Sequence, residues 1–264
     1  MNTTQPSLRL ETVTASIDGE VGEFLLRRPH ALNACSVQLM RDVIEAALWF
    51  DTHEGVKAVV LRGEGKAFCA GFDLKLFLGS GPEEVREAVE LGRKMIQTVE
   101  DMRAFTISAV HGNCVGGGLV LAGACDFRYA DEGARFHLPE VDLGVPLAWG
   151  GIPRLIREVG TAATLELAVL CRPMTAEMLL GAGFLNEVLP EGRVLAHARG
   201  IAAEIAQKPN LVLKATKRQL LAARDALAST SHAFADAFLF YSAVTDDEAT
   251  RKRRAYVEAL KKRA

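Results

Sequence analysis

Polar and apolar residues alternate over positions 9–17, turn at Asp18-Gly19 and resume over 21–26, which predicts a β-hairpin. The period then changes. Behind Ser36, a residue suited to cap a helix, Leu39, Val43, Ala46, Ala47 and Phe50 recur at helical spacing. Unbroken apolar runs at 56–61 and 107–110 have the length of buried strands. Between them, Pro82-Glu83-Glu84 opens a helix expected to reach about Arg103. Short strands are predicted at 127–129 and 135–137, then helices at 152–159 and 162–171. Thr175 is placed to cap a further helix at 176–182, Gly183 to end it, and 184–188 to form a strand. Beyond Glu191 the pattern is helical, with breaks near Pro209, Ser229–Ser231 and Thr245–Asp247. The expectation is an α/β core over 1–195 and an all-helical region over 196–264.

One stretch carries more than pattern. The run at 107–110 breaks at His111-Gly112 and reaches Gly116, Gly117 and Gly118, which open a small-residue helix expected over 119–124. A glycine turn at a helix start leaves backbone N–H groups unpaired, beside the positive end of the helix dipole. With no Cβ in the way, an oxygen that is anionic, or becomes so during a reaction, approaches closely. A tight packing turn reads the same way. Residue types do exclude two phosphate-binding motifs, since Leu119-Val120-Leu121 follows instead of Gly-Lys-Ser/Thr and the G-x-G-x-x-G spacing is missing.

Composition narrows the field. With 264 residues, 49% hydrophobic, 24% charged and a net charge of −2, the chain has the balance of a globular protein and no global pull toward nucleic acid or anionic lipid. No secretory signal is evident, and no apolar run reaches the roughly 18 residues of a membrane helix. Cys35, Cys69, Cys114, Cys125 and Cys171 form no C-x-x-C pair, so free thiols in a reducing, cytoplasmic setting are expected. The histidines have no ligand spacing, and no metal site is expected.

Four segments in order resemble the crotonase superfamily, the enoyl-CoA hydratase/isomerase family. They are Arg28-Pro29-His30-Ala31-Leu32-Asn33-Ala34, Ala67-Phe68-Cys69-Ala70-Gly71-Phe72-Asp73-Leu74, His111-Gly112-Asn113-Cys114-Val115-Gly116-Gly117-Gly118 and Pro139-Glu140-Val141-Asp142-Leu143-Gly144-Val145-Pro146. Thr175-Ala176-Glu177 through Gly183-Phe184-Leu185-Asn186-Glu187-Val188 adds a weaker fifth. The resemblance implies a ClpP-like spiral of ββα units with a helical C-terminal region that assembles homotrimers, often paired into hexamers. It also implies an acyl-CoA thioester substrate, with coenzyme A entering as part of it and no prosthetic group. By the same resemblance the N–H groups of Phe72 and Gly117 receive the thioester oxygen, and His30, Ala31, Ala70, Asp73 and Leu74 hold the CoA. Gly116 lies beside these donors, and Tyr256 resembles an aromatic near the adenine.

Glu140 is the candidate acid and base. Leu138, Val141, Leu143, Val145 and Pro146 surround it in sequence, and partial desolvation would raise its pKa. The residues alone leave a solvated loop glutamate open; the resemblance implies the catalytic role. Hydratases of the family keep a second glutamate three residues after the middle glycine, where this chain has Val120, expected to face the site. One carboxylate suits a double-bond shift from 3-enoyl to 2-enoyl better than hydration of 2-enoyl-CoA, unless Asp142 or a water replaces the missing group. The loss also leaves a catalytically silent acyl-CoA-binding protein as an alternative. Dehalogenase chemistry is set aside because Ala148 stands where those relatives use an aspartate, and serine hydrolysis because G-x-S-x-G is absent. The basic run Arg251-Lys252-Arg253-Arg254 with Lys261-Lys262-Arg263 reads as a solvated helix face or as partners for CoA phosphates.

Overall fold

A computed structural model describes residues 5–262. The N-terminal alternation forms three strands where two were expected: β1 (Ser7–Arg9), β2 (Val13–Asp18) and β3 (Val21–Leu26). The break falls at Thr12, whose N–H and hydroxyl both donate to the buried Asp42 carboxylate at 2.7 Å. Helix α1 (Val37–Thr52) follows, its first turn capped by Ser36, whose side chain accepts from the Leu39 N–H.

From here the chain repeats one theme, a strand in a large sheet, a strand in a small sheet, then a helix. The first round is β4 (Ala58–Gly63), β5 (Ala67–Cys69), a short α2 (Leu74–Gly79) and α3 (Pro82–Glu100). The second is β6 (Phe105–Val110), β7 (Asn113–Val115) and α4 (Gly117–Ala124). The third is β8 (Phe127–Asp131), β9 (Arg135–His137) and α5 (Gly151–Ala168), which is two helical segments meeting at the non-helical Gly160 (φ 74°), matching the two helices expected there. Then come β10 (Met174–Thr175), α6 (Ala176–Gly181) and β11 (Glu187–Leu189). The strand expected from 184 begins only at Glu187, because the Phe184 carbonyl is taken by the buried Arg128 guanidinium at 2.5 Å and the ring is buried. The last helices are α7 (Val194–Ala206), α8 (Asn210–Leu227), α9 (Asp236–Thr245) and α10 (Asp247–Lys261).

The large sheet has the order β1-β2-β3-β4-β6-β8-β11, antiparallel through β3 and parallel beyond, and the small sheet runs β10-β9-β7-β5. This is a mixed α/β fold with the ββα spiral that the family resemblance implied. Both faces of β4 are covered, which explains its unbroken apolar run. Val59 and Leu61 join the core shared with α1, α3 and α4, while Ala58 and Val60 face α7 through Ala198, Ala202 and Ile205. No helix among the described residues is long and apolar enough to cross a membrane.

Candidate active site

The glycine turn is built as a helix start, two residues earlier than the pattern suggested. Gly116 has φ 55°, donates its N–H to the His137 carbonyl at 2.8 Å, and takes the Leu119 N–H at 2.9 Å on its own carbonyl. Gly117 is the first helical residue, and its N–H finds no acceptor among the described residues. The loop after β5 stands against it. There the Cys35 N–H donates to the Gly71 carbonyl at 2.7 Å and the Asp73 N–H to the Cys35 carbonyl at 3.2 Å, and the Phe72 N–H between them finds no acceptor among the described residues. Gly71, with φ 82°, is where the two loops meet: a Cβ there would lie 2.5 Å from the Val115 carbonyl oxygen and 3.1 Å from the Gly117 nitrogen. Only glycine allows that approach.

Glu140 comes to the same point from the loop after β9. A Cβ on Gly116 would sit 2.5 Å from Glu140 Oε1 and 3.9 Å from the Gly71 α-carbon. A tight turn holds the loop, with the Leu143 N–H on the Pro139 carbonyl and the Val145 N–H on the Glu140 carbonyl, both at 2.9 Å. Oε2 is shut off from solvent and has no hydrogen-bond partner among the described residues. Burial disfavours the charged form and pushes the carboxyl pKa up to about 7.

These groups open on a cavity of about 400 Å³. Of the residues singled out in the sequence, Ala70, Phe72, Leu74, Gly116, Gly117, Glu140 and Tyr256 line it. His30, Ala31, Asp73 and Val120 do not. His30 and Ala31 lie in a one-turn 3-10 helix, and their neighbour Leu32 reaches the wall instead. Asp73 is spent on structure, capping α2 through the Lys75 N–H at 3.0 Å and pairing with Arg28 Nη1 at 3.0 Å. Val120 corrects the expectation that it faces the site. Its Cγ2 is turned to Gly151 at the start of α5, beside Leu147, and Leu147 is in the wall.

Asp142 is exposed and outside the cavity, whereas Ala148 is a buried part of its wall. Among the described residues, Glu140 is the only carboxylate that lines the cavity. The basic run divides: Arg253 lies over the Phe77 ring at 4.7 Å and donates to the Ala243 carbonyl at 3.2 Å, while Arg251, Lys252 and Arg254 are exposed and Arg263 lies outside the described residues.

The pattern had not singled out Phe77, Trp149 and Phe240 as wall residues, although all three line the cavity. Phe72, Phe77 and Phe240 form one aromatic cluster, with ring centroids 5.6–6.2 Å apart. Phe240 and Tyr256 come from α9 and α10, more than a hundred residues beyond the glycine turn. Nothing local announces such a contact.

The fold and the site define a mixed α/β protein in which two glycine-bearing loops and a half-buried acid meet at a largely apolar cavity. Residues 16–263 match the family model described as enoyl-CoA hydratase/isomerase, and the chain belongs to that family. It is 40% identical over 196 residues to a probable enoyl-CoA hydratase of Rhizobium meliloti, covering 74% of this chain and 76% of the relative. It is 33% identical over 229 residues to a peroxisomal Delta(3,5)-Delta(2,4)-dienoyl-CoA isomerase of Arabidopsis thaliana, covering 82% of each. Among solved structures, an enoyl-CoA hydratase from Bacillus anthracis superposes with a TM-score of 0.79 at 27% identity, over 94% of this chain and 97% of the other.

Proposed function

We propose that the chain shifts a double bond in an enoyl-CoA thioester, from 3-enoyl to 2-enoyl, with one carboxylate moving the proton. The observation that carries this reading is the solitary Glu140, unpartnered at Oε2 and seated beside Gly116 and the free Gly117 amide. As carboxylate, Glu140 takes a proton from C2. The electrons of that C–H bond pass into the thioester, whose oxygen becomes a dienolate oxygen. The N–H groups of Phe72 and Gly117 receive it, and a single donor of this kind is worth roughly 10²–10³ in rate. Glu140 then returns the proton to C4, leaving the double bond between C2 and C3.

A pKa near 7 suits a group that must both accept and donate. Hydration needs a second group to orient water, and no other carboxylate lines the cavity among the described residues. We assign the substrate as an acyl-CoA and the assembly as a homotrimer, the latter supported by exposed Leu211, Phe234 and Phe238 in the C-terminal region.

The test is turnover of 2-enoyl- and 3-enoyl-CoA by the wild type and Glu140→Gln. The expected result is isomerisation well ahead of hydration, with both reduced at least about 10²-fold in the variant. Undiminished turnover in Glu140→Gln, or hydration as the dominant reaction, would overturn the assignment.

A further inference from the structure

Trp149 has a backbone that bulky side chains avoid, with φ 64°. Such a conformation persists only where the surroundings over-determine it. Here they do. Arg154, 2% exposed, donates from Nη1 to the Trp149 carbonyl at 2.8 Å and to the Gly150 carbonyl at 3.3 Å. Glu100 of α3 anchors Arg154 at 2.5 Å and Arg157 at 2.7 Å. The Gly150 N–H donates to Asp236 of α9 at 2.7 Å.

What this arrangement delivers is the indole. Its Nε1–Cε2 edge lies against Gly92 of α3, and its Cζ3–Cη2 edge lies against Gly117; a Cβ on either glycine would run into the ring. The Phe72 ring meets it edge-on, with centroids 6.1 Å apart and planes at 62°. The Nε1 donor has no hydrogen-bond partner among the described residues, so the ring is held by its shape. One side chain therefore touches both residues whose amides are free, and braces them against α3.

We infer that Trp149 is a positioning residue: its indole, wedged between Gly92 and Gly117 and met by Phe72, sets the separation and aim of the Phe72 and Gly117 N–H groups. The inference rests on the reading that those amides receive the thioester oxygen. A brace acting on a transition-state contact shows in kcat and leaves KM nearly still.

The experiment compares Trp149→Ala, Gly92→Ala and the double variant, each checked by thermal unfolding. Two readouts are taken: kcat and KM on 3-enoyl-CoA, and the near-ultraviolet absorbance of bound acetoacetyl-CoA enolate, which reports the two amides without turnover. Trp149→Ala is expected to lower kcat at least about tenfold, with KM within about threefold, and to reduce the enolate signal in parallel. Gly92→Ala keeps the indole but displaces it, and is expected to act in the same direction. In the double variant the Gly92 methyl should add nothing further.

A wild-type kcat and enolate signal in Trp149→Ala would overturn the inference. So would a Gly92→Ala effect that persists unchanged without the indole. If Trp149→Ala does not fold, Gly92→Ala alone decides, its wild-type behaviour counting against the brace. Absence of any turnover in the wild type would sink the isomerase reading instead, while the enolate signal would still judge the brace.

Discussion

Glu140 is held in a state that costs stability, and the cost has a definite pH range. A carboxyl with a folded pKa of about 7 keeps its proton where the unfolded chain, with an ordinary value near 4.3, has already lost it. Between those values the native state binds more protons, so stability falls as pH rises through that window, and the loss is complete above about pH 7. Glu140→Gln removes the titration. It is therefore expected to raise the unfolding free energy at pH 8 by up to about 3 kcal/mol and by little at pH 5, as denaturant melts at the two pH values would show. Turnover that begins with the carboxylate should rise with pH and level off above about 7, a profile read from kcat/KM.

Other roles at this scale were not in the sequence. Asn33 accepts from the Arg28 N–H at 2.9 Å and donates to the Glu64 and Ala67 carbonyls at 2.9 and 2.8 Å. It clamps the first motif to the second, a structural use that no spacing reveals.

At the level of elements, the helix caps and breaks were the most legible features, because each depends on a few adjacent residues. Ser36 and Thr175 cap as their chemistry demands, and Gly183 ends α6 with φ 86°. The misread elements were those decided by distant partners. Thr12 breaks a strand for Asp42, thirty residues away, and Arg128 takes the carbonyl of Phe184. Val120 was misplaced for the same reason: its orientation is set by α5 packing on α4, not by helical spacing alone. Docking of α8 is equally non-local. Lys217, 2% exposed, pairs with Asp126 at 2.8 Å and donates to the Ala104 carbonyl at 2.6 Å. Removing Lys217 takes the nearer cation from Asp126, leaving Arg224 at 3.4 Å and the Thr106 N–H and hydroxyl as its partners, and strips the Ala104 carbonyl of its side-chain donor. Lys217→Ala is expected to destabilise the protein by about 1–3 kcal/mol in chemical denaturation, with no change in KM.

Over the whole molecule, the alternation of strands and helices was visible in the pattern and the ββα repeat only through the family resemblance, whereas the division of the strands between two sheets was not visible. That division brings the glycine turn, the loop after β5 and the loop after β9 to one cavity, which α9 and α10 then close with Phe240 and Tyr256. Leu211, Phe234 and Phe238 remain 81%, 68% and 67% exposed on the chain considered alone. Sedimentation is expected to give a mass of three or six chains, and a monomer at micromolar concentration would contradict the assembly proposed here.

The central claim is that one carboxyl both removes and returns the migrating proton, and the fate of that proton tests it most directly. We would supply 3-enoyl-CoA deuterated at both C2 positions and follow the product by mass spectrometry and NMR. The account predicts 2-enoyl-CoA carrying deuterium at C4, delivered by Glu140, whose Oε2 is shut off from solvent. A product whose C4 hydrogen comes wholly from water, or water added across the double bond without any shift, would contradict it.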